Sequence, residues 1–356
     1  MKDTEKELKE ELSQHFVAHG QRMKMLIKLI LGLLKLGTVS YSKLSKVINP
    51  EVKRFSNFKR IQRFVKHFNF CQKGYVQLVW SLFVSKQNWV ALSIDRTNWK
   101  FGASNINILM LGISYKGTAI PLVWKLLDKR GNSNTAERIE LIETFKGCLN
   151  EVQIQQVKCL LADREFIGSE WIAYLKRQSF TFVIRIRANT LVRKIGKHKE
   201  RLASTIFTDN YFKILRKERV IWGQRLFIAG QRIANKEWLI LISDQSLAAG
   251  KVFYGERWGI EVFFAACKTR GFNFEDTHVV KLERIFNLMF LIAIAFIWAI
   301  KTGEWLIKKG GKIPIKKLKK RKAKLYSIFR IGLDHLQERL LNFLTIWEEI
   351  RLLSCT

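Results

Sequence analysis

The sequence predicts a protein of the mixed class, between α+β and α/β, and three observations lead to this prediction. Residues 1–88 place apolar residues at helical spacing throughout. From Trp89 onward, β-branched residues alternate in runs of strand length. A second strand-rich stretch follows at about 180–246. We therefore predict a helical N-terminal domain, a sheet-containing domain over 89–302 that includes the strand-rich insertion, and a basic helical region over 303–356.

The order of elements after Trp89 makes the prediction more specific. Three strand-like runs, WVALSID, NINILMLGISYKG and AIPLVWKLL, follow one another, with Lys116 and Gly117 as a turn. A helix then begins with a cap among Asn132, Ser133 and Asn134, and Glu137 is placed to close a capping box on Asn134. The strand VKCLLAD and the helix SEWIAYLKRQ complete the series. Three antiparallel strands, a helix, a fourth strand and a helix is the order of a ribonuclease-H-like core.

The charge of the chain indicates the kind of partner. The 356 residues include 63 Lys and Arg against 30 Asp and Glu, a formal net charge of +33. An excess of this size favours a polyanion, with nucleic acid ahead of an anionic membrane. The basic run FKRIQRFVKHF favours a DNA-binding N-terminal domain, although a solvated helix face is the alternative. The run from Lys308 to Lys324 holds ten basic residues and no acidic one, which is typical of phosphate binding.

Neither a membrane span nor a cysteine-based site is predicted. The most apolar run, Ile285 to Ile300, has 16 residues, fewer than the roughly 20 of a spanning helix, so we predict a buried helix and no membrane partner. The five cysteines form no C-x-x-C pair, which disfavours structural zinc and disulfides. We expect a reducing, cytoplasmic compartment.

Three carboxylates stand out in a chain with few acidic residues. Asp95 ends the apolar run WVALSID, Asp163 ends LLAD, and Glu261 lies in an otherwise apolar helical stretch. A turn or helix cap is the ordinary explanation for either aspartate alone. Mg²⁺, however, binds two or three carboxylates and keeps several waters, and paired metal ions serve phosphoryl transfer. The three residues together therefore predict a metal-dependent site.

The stretch YGERWGIEVFFAACK, from Tyr254 to Lys268, carries a polar stripe on an apolar helix. On one regular helix Tyr254, Arg257, Glu261 and Lys268 would share a stripe about 60° wide. Apolar residues, Trp258 among them, surround that stripe, so we expect the helix to be buried.

These residues resemble a known family. The spacing of Tyr254, Arg257, Glu261 and Lys268 is similar to the Y-R-E-K signature of the DDE transposases of insertion-sequence family four. Asp95 in IDRTNW and Asp163 in ADREF resemble the first and second aspartate motifs of that family. The resemblance runs from about residue 90 to residue 271 and includes the β-rich insertion.

The resemblance implies a DNA transposase that binds transposon terminal inverted repeats and carries out cut-and-paste transposition. Asp95, Asp163 and Glu261 would be both the catalytic residues and the ligands of two Mg²⁺ ions, for which Mn²⁺ could substitute. Nicking, hairpin formation, hairpin opening and joining of the 3′ ends to target DNA would use one site.

The resemblance also implies DNA contacts and an assembly. The residues that would contact DNA near the cleaved end are Tyr254, Arg257, Trp258 and Lys268. Trp238 would stack on a flipped base, with Trp222 as the alternative. The partners would be double-stranded DNA and a second copy of the chain in a synaptic homodimer, in the bacterial cytoplasm at the nucleoid.

Two other functions remain as alternatives. A catalytically silent DNA-binding protein derived from a transposase would keep the basic surface, but it would have no need for the three carboxylates together. A ribonuclease-H-like nuclease that never rejoins ends would need the carboxylates, but it would have no need for the Y-R-E-K stripe.

Overall fold

A computed structural model describes the chain over residues 2–16, 19–84, 89–178, 180–233, 237–247, 254–310, 315–318, 321–324 and 326–354. The chain forms two compact units. The first contains residues 1–85, 99–106 and 264–356, and the second contains residues 86–98 and 107–263. The N-terminal helices, which the sequence predicts as a domain of their own, thus belong to a unit that also takes in the end of the chain.

The helices and strands follow one another in this order. First come the helices α1 (Lys2–Ser13), α2 (Gly20–Leu36), α3 (Tyr41–Leu44), α4 (Arg54–His67) and α5 (Gln72–Phe83). The middle of the chain contains β1 (Val90–Phe101), β2 (Ser104–Tyr115), β3 (Thr118–Leu126), α6 (Thr135–Gly147), α7 (Glu151–Gln155), β4 (Val157–Ala162), α8 (Ser169–Arg177) and β5 (Phe182–Arg185). Next are β6 (Leu191–Lys194), β7 (Glu200–Leu202), β8 (Lys213–Ile214), β9 (Arg219–Ile221), β10 (Gln224–Ile233) and β11 (Glu237–Ser243). The last elements are α9 (Gly259–Cys267), α10 (Leu282–Lys308), β12 (Ile315–Leu318), β13 (Arg321–Lys324), α11 (Ile328–Leu341) and α12 (Trp347–Arg351).

The core of the first unit is built around α10. This helix has 27 residues, and its length and composition would suit a membrane span, yet 89% of its most apolar 18-residue window is buried inside the structure. It packs against α2, α4 and α11. The side-chain amide of Asn287 donates to the carbonyl oxygens of Val65 and Phe68, which fixes α10 to the end of α4. The predicted buried helix is confirmed, and it is longer than the apolar run that predicted it.

The basic C-terminal region differs from its prediction as helix. Strands β12 and β13 pair antiparallel, with Ile315 opposite Lys324 and Leu318 opposite Arg321. The remaining residues of the run, 311–314 and 319–320, lie outside the described residues.

The second unit is organised by one sheet. Its strand order begins β3-β2-β1-β4-β5, with β4 parallel to β1 and β5 parallel to β4, and this is the ribonuclease-H-like arrangement that the sequence predicts. The insertion continues the same sheet, because β11 pairs antiparallel with β5 and is followed by β10, β9, β6 and β7. The β-rich insertion is therefore an extension of the core sheet.

Two local predictions in this unit are confirmed. Lys116 and Gly117 both have positive φ, 46° and 84°, and they connect Tyr115 to its partner Thr118 as a two-residue hairpin turn that matches the strand twist. At the start of α6 the Asn134 side chain accepts from the Glu137 backbone N–H, and the Glu137 side chain accepts from the Asn134 backbone N–H. Both devices fix where the strands and α6 begin, and so hold the loop before α6 in place.

Candidate active site

Asp95 and Asp163 lie side by side where two parallel strands part. The β1–β4 ladder ends with the pair Ile94 and Ala162, and each aspartate is the next residue of its chain segment. Asp163 follows the end of β4, as predicted. Asp95 does not end its strand, because β1 continues to Phe101. What ends at Asp95 is the pairing with β4, so its carboxylate still reaches the carboxyl edge of that strand.

The signature segment is not the single regular helix that the sequence predicts. Residues 254–256 are helical, Arg257 and Trp258 form a turn, and α9 begins at Gly259. The backbone N–H groups of Arg257 and Glu261 each bond three residues back, to Tyr254 and Trp258, which is the tighter winding of a 3₁₀ turn. Trp258 is 61% exposed, although the predicted helix was expected to be buried all round.

Arg257 and Tyr254 connect this segment to the two aspartates. Arg257 donates from Nη1 to Asp95 Oδ2 at 3.1 Å and from Nη2 to Glu261 Oε1 at 2.6 Å. Tyr254 donates its hydroxyl to Asp163 Oδ1 at 3.2 Å. The structure thus brings together five residues that the sequence predicts for the site, and it places the guanidinium between two of the carboxylates.

The electrostatics of the site follow from burial. Burial raises the pKa of Asp95 to about 6, against the backbone N–H of Arg96 and the Arg257 cation, which lower it, while Glu261 and Asp163 add to the rise. Burial opposes the charge of Arg257, yet the facing Tyr254, Glu261 and Asp95 raise its pKa above the ordinary value. The guanidinium is therefore charged, and together with the Arg96 backbone N–H it stabilises the charged form of the Asp95 carboxylate.

A close backbone approach positions Glu261. Gly259, the first residue of α9, lies against β3, and a Cβ atom there would come within 2.4 Å of the Thr118 carbonyl oxygen. Only glycine allows this approach without moving the helix or the strand. Because Glu261 is two residues further on, the contact sets its distance from the sheet.

The oxygen donors of the three carboxylates suit a divalent cation. While Arg257 is paired with two of these carboxylates, however, the three are not close enough together to bind one ion. Three carboxylates from rigid elements are the oxygen donors that Mg²⁺ prefers. Among the described residues, however, no group of three His, Cys, Asp or Glu side chains is close enough together to bind a metal ion. The ion pairs of Arg257 with Asp95 and Glu261 account for this, because the guanidinium lies where a shared ligand would bind.

Lys268 follows the end of α9 and contacts other groups. Its Nζ pairs with Glu275 Oε1 at 2.8 Å and lies 5.6 Å from the centre of the Trp99 ring. All three residues belong to the first compact unit. Of the residues predicted to form one stripe, Arg257 and Glu261 contact each other, whereas Lys268 contacts Glu275 and Trp99.

The two tryptophans of the insertion occupy different settings. Trp238 lies within β11, its Nε1 donates to the Phe207 carbonyl at 3.0 Å, and it is partly buried. Trp222 forms the turn between β9 and β10 with a positive φ of 49°, which is unusual for a bulky residue. It lines a cavity together with Arg187 and Arg193.

Sequence reasoning missed two further residues beside the aspartates. Arg96, directly after Asp95, makes an ion pair with Glu165, two residues after Asp163, at 3.0 Å. Both residues stand inside the motifs IDRTNW and ADREF, so the signal was present as two opposite charges next to the predicted ligands. Spacing along the chain could not reveal that they meet.

Comparison with known proteins found a family model and a solved structure that are similar to this chain. The model of the transposase DDE domain family matches residues 92–298, more than half of the chain. No curated protein matches. A solved structure of the piggyBac transposase synaptic complex with hairpin DNA is similar at 12% identity and a TM-score of 0.46, covering 98% of this chain and 81% of that one. On the family match, the chain belongs to the transposase DDE domain family and is a DNA transposase, an enzyme of the DDE type.

Proposed function

We propose that this transposase cuts and joins DNA at Asp95, Asp163 and Glu261, in the manner of the insertion-sequence family four enzymes that carry the Y-R-E-K signature. The observation that carries the proposal is the placement of the two aspartates beyond the last β1–β4 pair, with Arg257 linking Asp95 to Glu261. Asp95 and Asp163 thus lie where the β1–β4 pairing ends, and Glu261 lies in the first turn of α9.

Transposases of this family generally use divalent metal ions, and here Asp95, Asp163 and Glu261 would bind two Mg²⁺ or Mn²⁺. Such ions would supply charge stabilisation for the attacking and leaving oxygens. We propose that Arg257 leaves the carboxylates when a DNA phosphate arrives, since its Nε is buried and has no partner among the described residues. A phosphate oxygen would satisfy that donor and take over the pairing of Nη1 and Nη2.

The chemistry then consists of successive attacks at phosphorus in one site. Water attacks a phosphodiester at the transposon end and a 3′ oxygen leaves as a hydroxyl. That hydroxyl attacks a phosphodiester of the opposite strand to give a hairpin, and the flanking DNA leaves with a 3′ hydroxyl. Water then attacks the hairpin phosphodiester and frees the transposon 3′ hydroxyl, which attacks target DNA and displaces a 3′ hydroxyl of the target strand. In each step Arg257 and Tyr254 would position the phosphate. The exposed ring of Trp258 would pack against the DNA beside it.

DNA recognition is proposed for two basic surfaces. Helix α4 has five Lys and Arg and no acidic residue, and Arg60 and Arg63 line a cavity with Lys24 and Lys28 of α2. Phe55 of the same helix is 70% exposed among these charges. In the insertion, Trp222 between Arg187 and Arg193 would stack on an unpaired base, with Trp238 as the alternative. Lys268 would bind phosphate after exchanging Glu275 for DNA.

Two copies are expected to act together, because two transposon ends must be joined. We propose a homodimer that assembles on DNA in a synaptic complex, in the bacterial cytoplasm at the nucleoid. Exposed apolar side chains near the end of the chain would suit a contact between copies, and they are Leu341, Phe343, Leu344 and Trp347.

The decisive experiment is cleavage of a labelled duplex that carries the terminal sequences flanking the coding region, with Mg²⁺ and with EDTA. We expect nicking at the end only with Mg²⁺, and none with Asp95→Ala, which keeps the basic surfaces. Binding of the duplex by the wild-type protein without any cut would instead support a silent DNA-binding protein. Cutting at sites unrelated to the ends would support a nuclease.

A further inference from the structure

The side chain of Arg96 is saturated with hydrogen bonds. Its Nε and Nη2 donate to the two carboxylate oxygens of Glu165, at 3.0 and 3.2 Å. The other donations are from Nη1 to Asn98 and Asn107, at 3.3 and 3.1 Å, and from Nη2 to Asn132, at 3.2 Å. All five N–H groups of the guanidinium therefore have acceptors.

Glu165 is held equally firmly from its other side. Its Oε1 accepts from the backbone N–H and the hydroxyl of Ser133, at 3.0 and 3.2 Å. The buried Arg138 donates to the backbone carbonyls of Glu165 and Ser133, at 3.0 and 2.6 Å. The pair thus connects β1, the loop after β4 and the loop before α6.

Arg96 and Glu165 lie just beyond the last residue pair of the β1–β4 ladder. Hydrogen bonds between β1 and β4 fix the two segments relative to each other only as far as Ile94 and Ala162. Beyond that point, the bond between Arg96 and Glu165 connects the two segments through their side chains. Because successive side chains of a strand point to opposite faces, Arg96 lies on the face of β1 away from Asp95.

The backbone at the two motifs orients the aspartates directly. The Arg96 N–H donates to Asp95 Oδ1 at 2.7 Å, and the Arg164 N–H donates to Asp163 Oδ1 at 2.8 Å. Anything that moves the backbone of residues 96 or 164 therefore moves a carboxylate. The Arg96–Glu165 pair joins these two backbone segments.

We propose that Arg96 and Glu165 are positioning residues that set the separation of Asp95 and Asp163 for catalysis, without touching DNA or metal. This inference rests on the proposed role of the two aspartates. We call the face of β1 that carries Arg96 the reverse face and the face that carries Asp95 the front face. The reverse face keeps the geometry of the site, so that the exchange of partners by Arg257 on the front face does not change the distance between the carboxylates.

The test uses the full chain with Arg96→Lys, Glu165→Gln and the double variant. Lysine keeps the charge and loses the fork, and glutamine keeps the shape and loses the charge. We expect nicking at saturating DNA to fall about tenfold to a hundredfold, as is usual for groups that orient metal ligands, with a higher Mg²⁺ concentration at half-maximal rate. Binding of end DNA in EDTA should change less than twofold. The double variant should lose no more than the worse single variant, because both changes break one connection.

A matched pair serves as the control. Arg330 and Asp334 form a similar fork on the surface of α11, with contacts of 3.0 and 2.6 Å. Arg330→Lys and Asp334→Asn should leave the nicking rate and its Mg²⁺ dependence unchanged. Wild-type rates in the Arg96 and Glu165 variants, or an equal loss in the control variants, would overturn the proposal.

Mn²⁺ binding to the same proteins on end DNA, followed by electron paramagnetic resonance, separates this inference from the proposed function. If the wild-type protein binds Mn²⁺ but never cuts, the proposed function fails and the pair is judged by Mn²⁺ affinity, which should fall about tenfold in the variants. Unchanged affinity would overturn the pair, and absence of Mn²⁺ binding in the wild-type protein would overturn both.

Discussion

The two faces of β1 at Asp95 and Arg96 carry ion pairs of opposite character. On one face Arg257 bridges Asp95 and Glu261, and its Nε lacks a partner among the described residues. On the other face Arg96 meets Glu165 with every donor engaged. Both arginines are well buried, with side chains 9% and 12% exposed. What differs between the faces is therefore the completeness of the pairing rather than the burial.

This difference teaches how one strand can combine a rigid frame with a changeable site. An incompletely satisfied arginine can exchange one set of acceptors for another at little cost, because the new partners also fill the vacant donor. A saturated arginine can only lose bonds if it moves. We therefore expect substitutions on the front face to change which ligands bind, and substitutions on the reverse face to change how fast the bound complex reacts.

The largest effect is expected from Glu261→Gln on the front face. Loss of one carboxylate charge should reduce cleavage by about a thousandfold or more, because charge stabilisation in the transition state depends on it. Binding of end DNA should remain, since the phosphate contacts are left in place. Glu256→Gln, an exposed carboxylate in the same segment, is the control and should cut normally. Loss of DNA binding in a folded Glu261→Gln protein would contradict the assignment.

Arg257→Gln tests whether the front-face arginine competes with metal. Without DNA, the variant should bind Mn²⁺ about tenfold more tightly than the wild-type protein, because a unit positive charge next to two carboxylates repels a cation. The same variant should bind end DNA more weakly. Titration with Mn²⁺ followed by electron paramagnetic resonance measures the metal affinity, and a separate titration with end DNA measures the DNA affinity. The exposed Arg270→Gln is the matched control. Equal Mn²⁺ affinity in the two proteins would exclude the competition.

Asp95→Asn tests the front face through the thermal stability of the protein at two pH values. Because the folded pKa of Asp95, about 6, lies above the ordinary 3.8, this carboxyl favours the folded state below pH 3.8, and its contribution is lost as the pH rises through 6. The loss is on the order of 3 kcal/mol. In metal-free protein the variant should therefore melt several degrees higher than wild type at pH 8 and equally at pH 3.5. The exposed Asp128→Asn should show no such divergence.

Lys268→Ala should have the smallest effect, and Lys268 lies on neither face of β1. Removing one phosphate contact should make the salt dependence of end binding shallower by about one unit of slope, so that the loss of affinity is greatest at low salt. Lys146→Ala is the control, because Lys146 also pairs with a glutamate, Glu143, at 3.4 Å and belongs to neither proposed DNA-binding surface. An unchanged slope would remove Lys268 from the DNA contacts.

Much of the fold could be predicted because its signals are local. The turn at Lys116 and Gly117, the capping box at Asn134 and the buried helix after Arg284 are each encoded within a few residues. The division into units could not be predicted, because residues 99–106 join the first unit through contacts that are distant in sequence. The antiparallel pairing of β12 with β13 was also missed, since a run of lysines has no periodicity to distinguish strand from helix.

The sequence predicted five residues that the structure brings together, but not the contacts between them. Spacing placed Tyr254, Arg257 and Glu261 on one face, and the motifs supplied Asp95 and Asp163. The break of the helix at Trp258 depends on how closely Gly259 must approach β3, which is a property of packing. The ion-pair partners of Arg257 likewise depend on which groups lie next to it in the folded chain, and no pattern along the sequence predicts them.

The close approach of Gly259 to Thr118 has a consequence for how this enzyme can be lost. A single added methyl group at Gly259 would meet a carbonyl oxygen and push the first turn of α9 outward, carrying Glu261 with it. Every side chain that we propose as catalytic would still be present in such a copy, and its motifs would be intact. The copy would nevertheless be immobile, so an inventory of carboxylates alone would overestimate how many copies of such an element can still move.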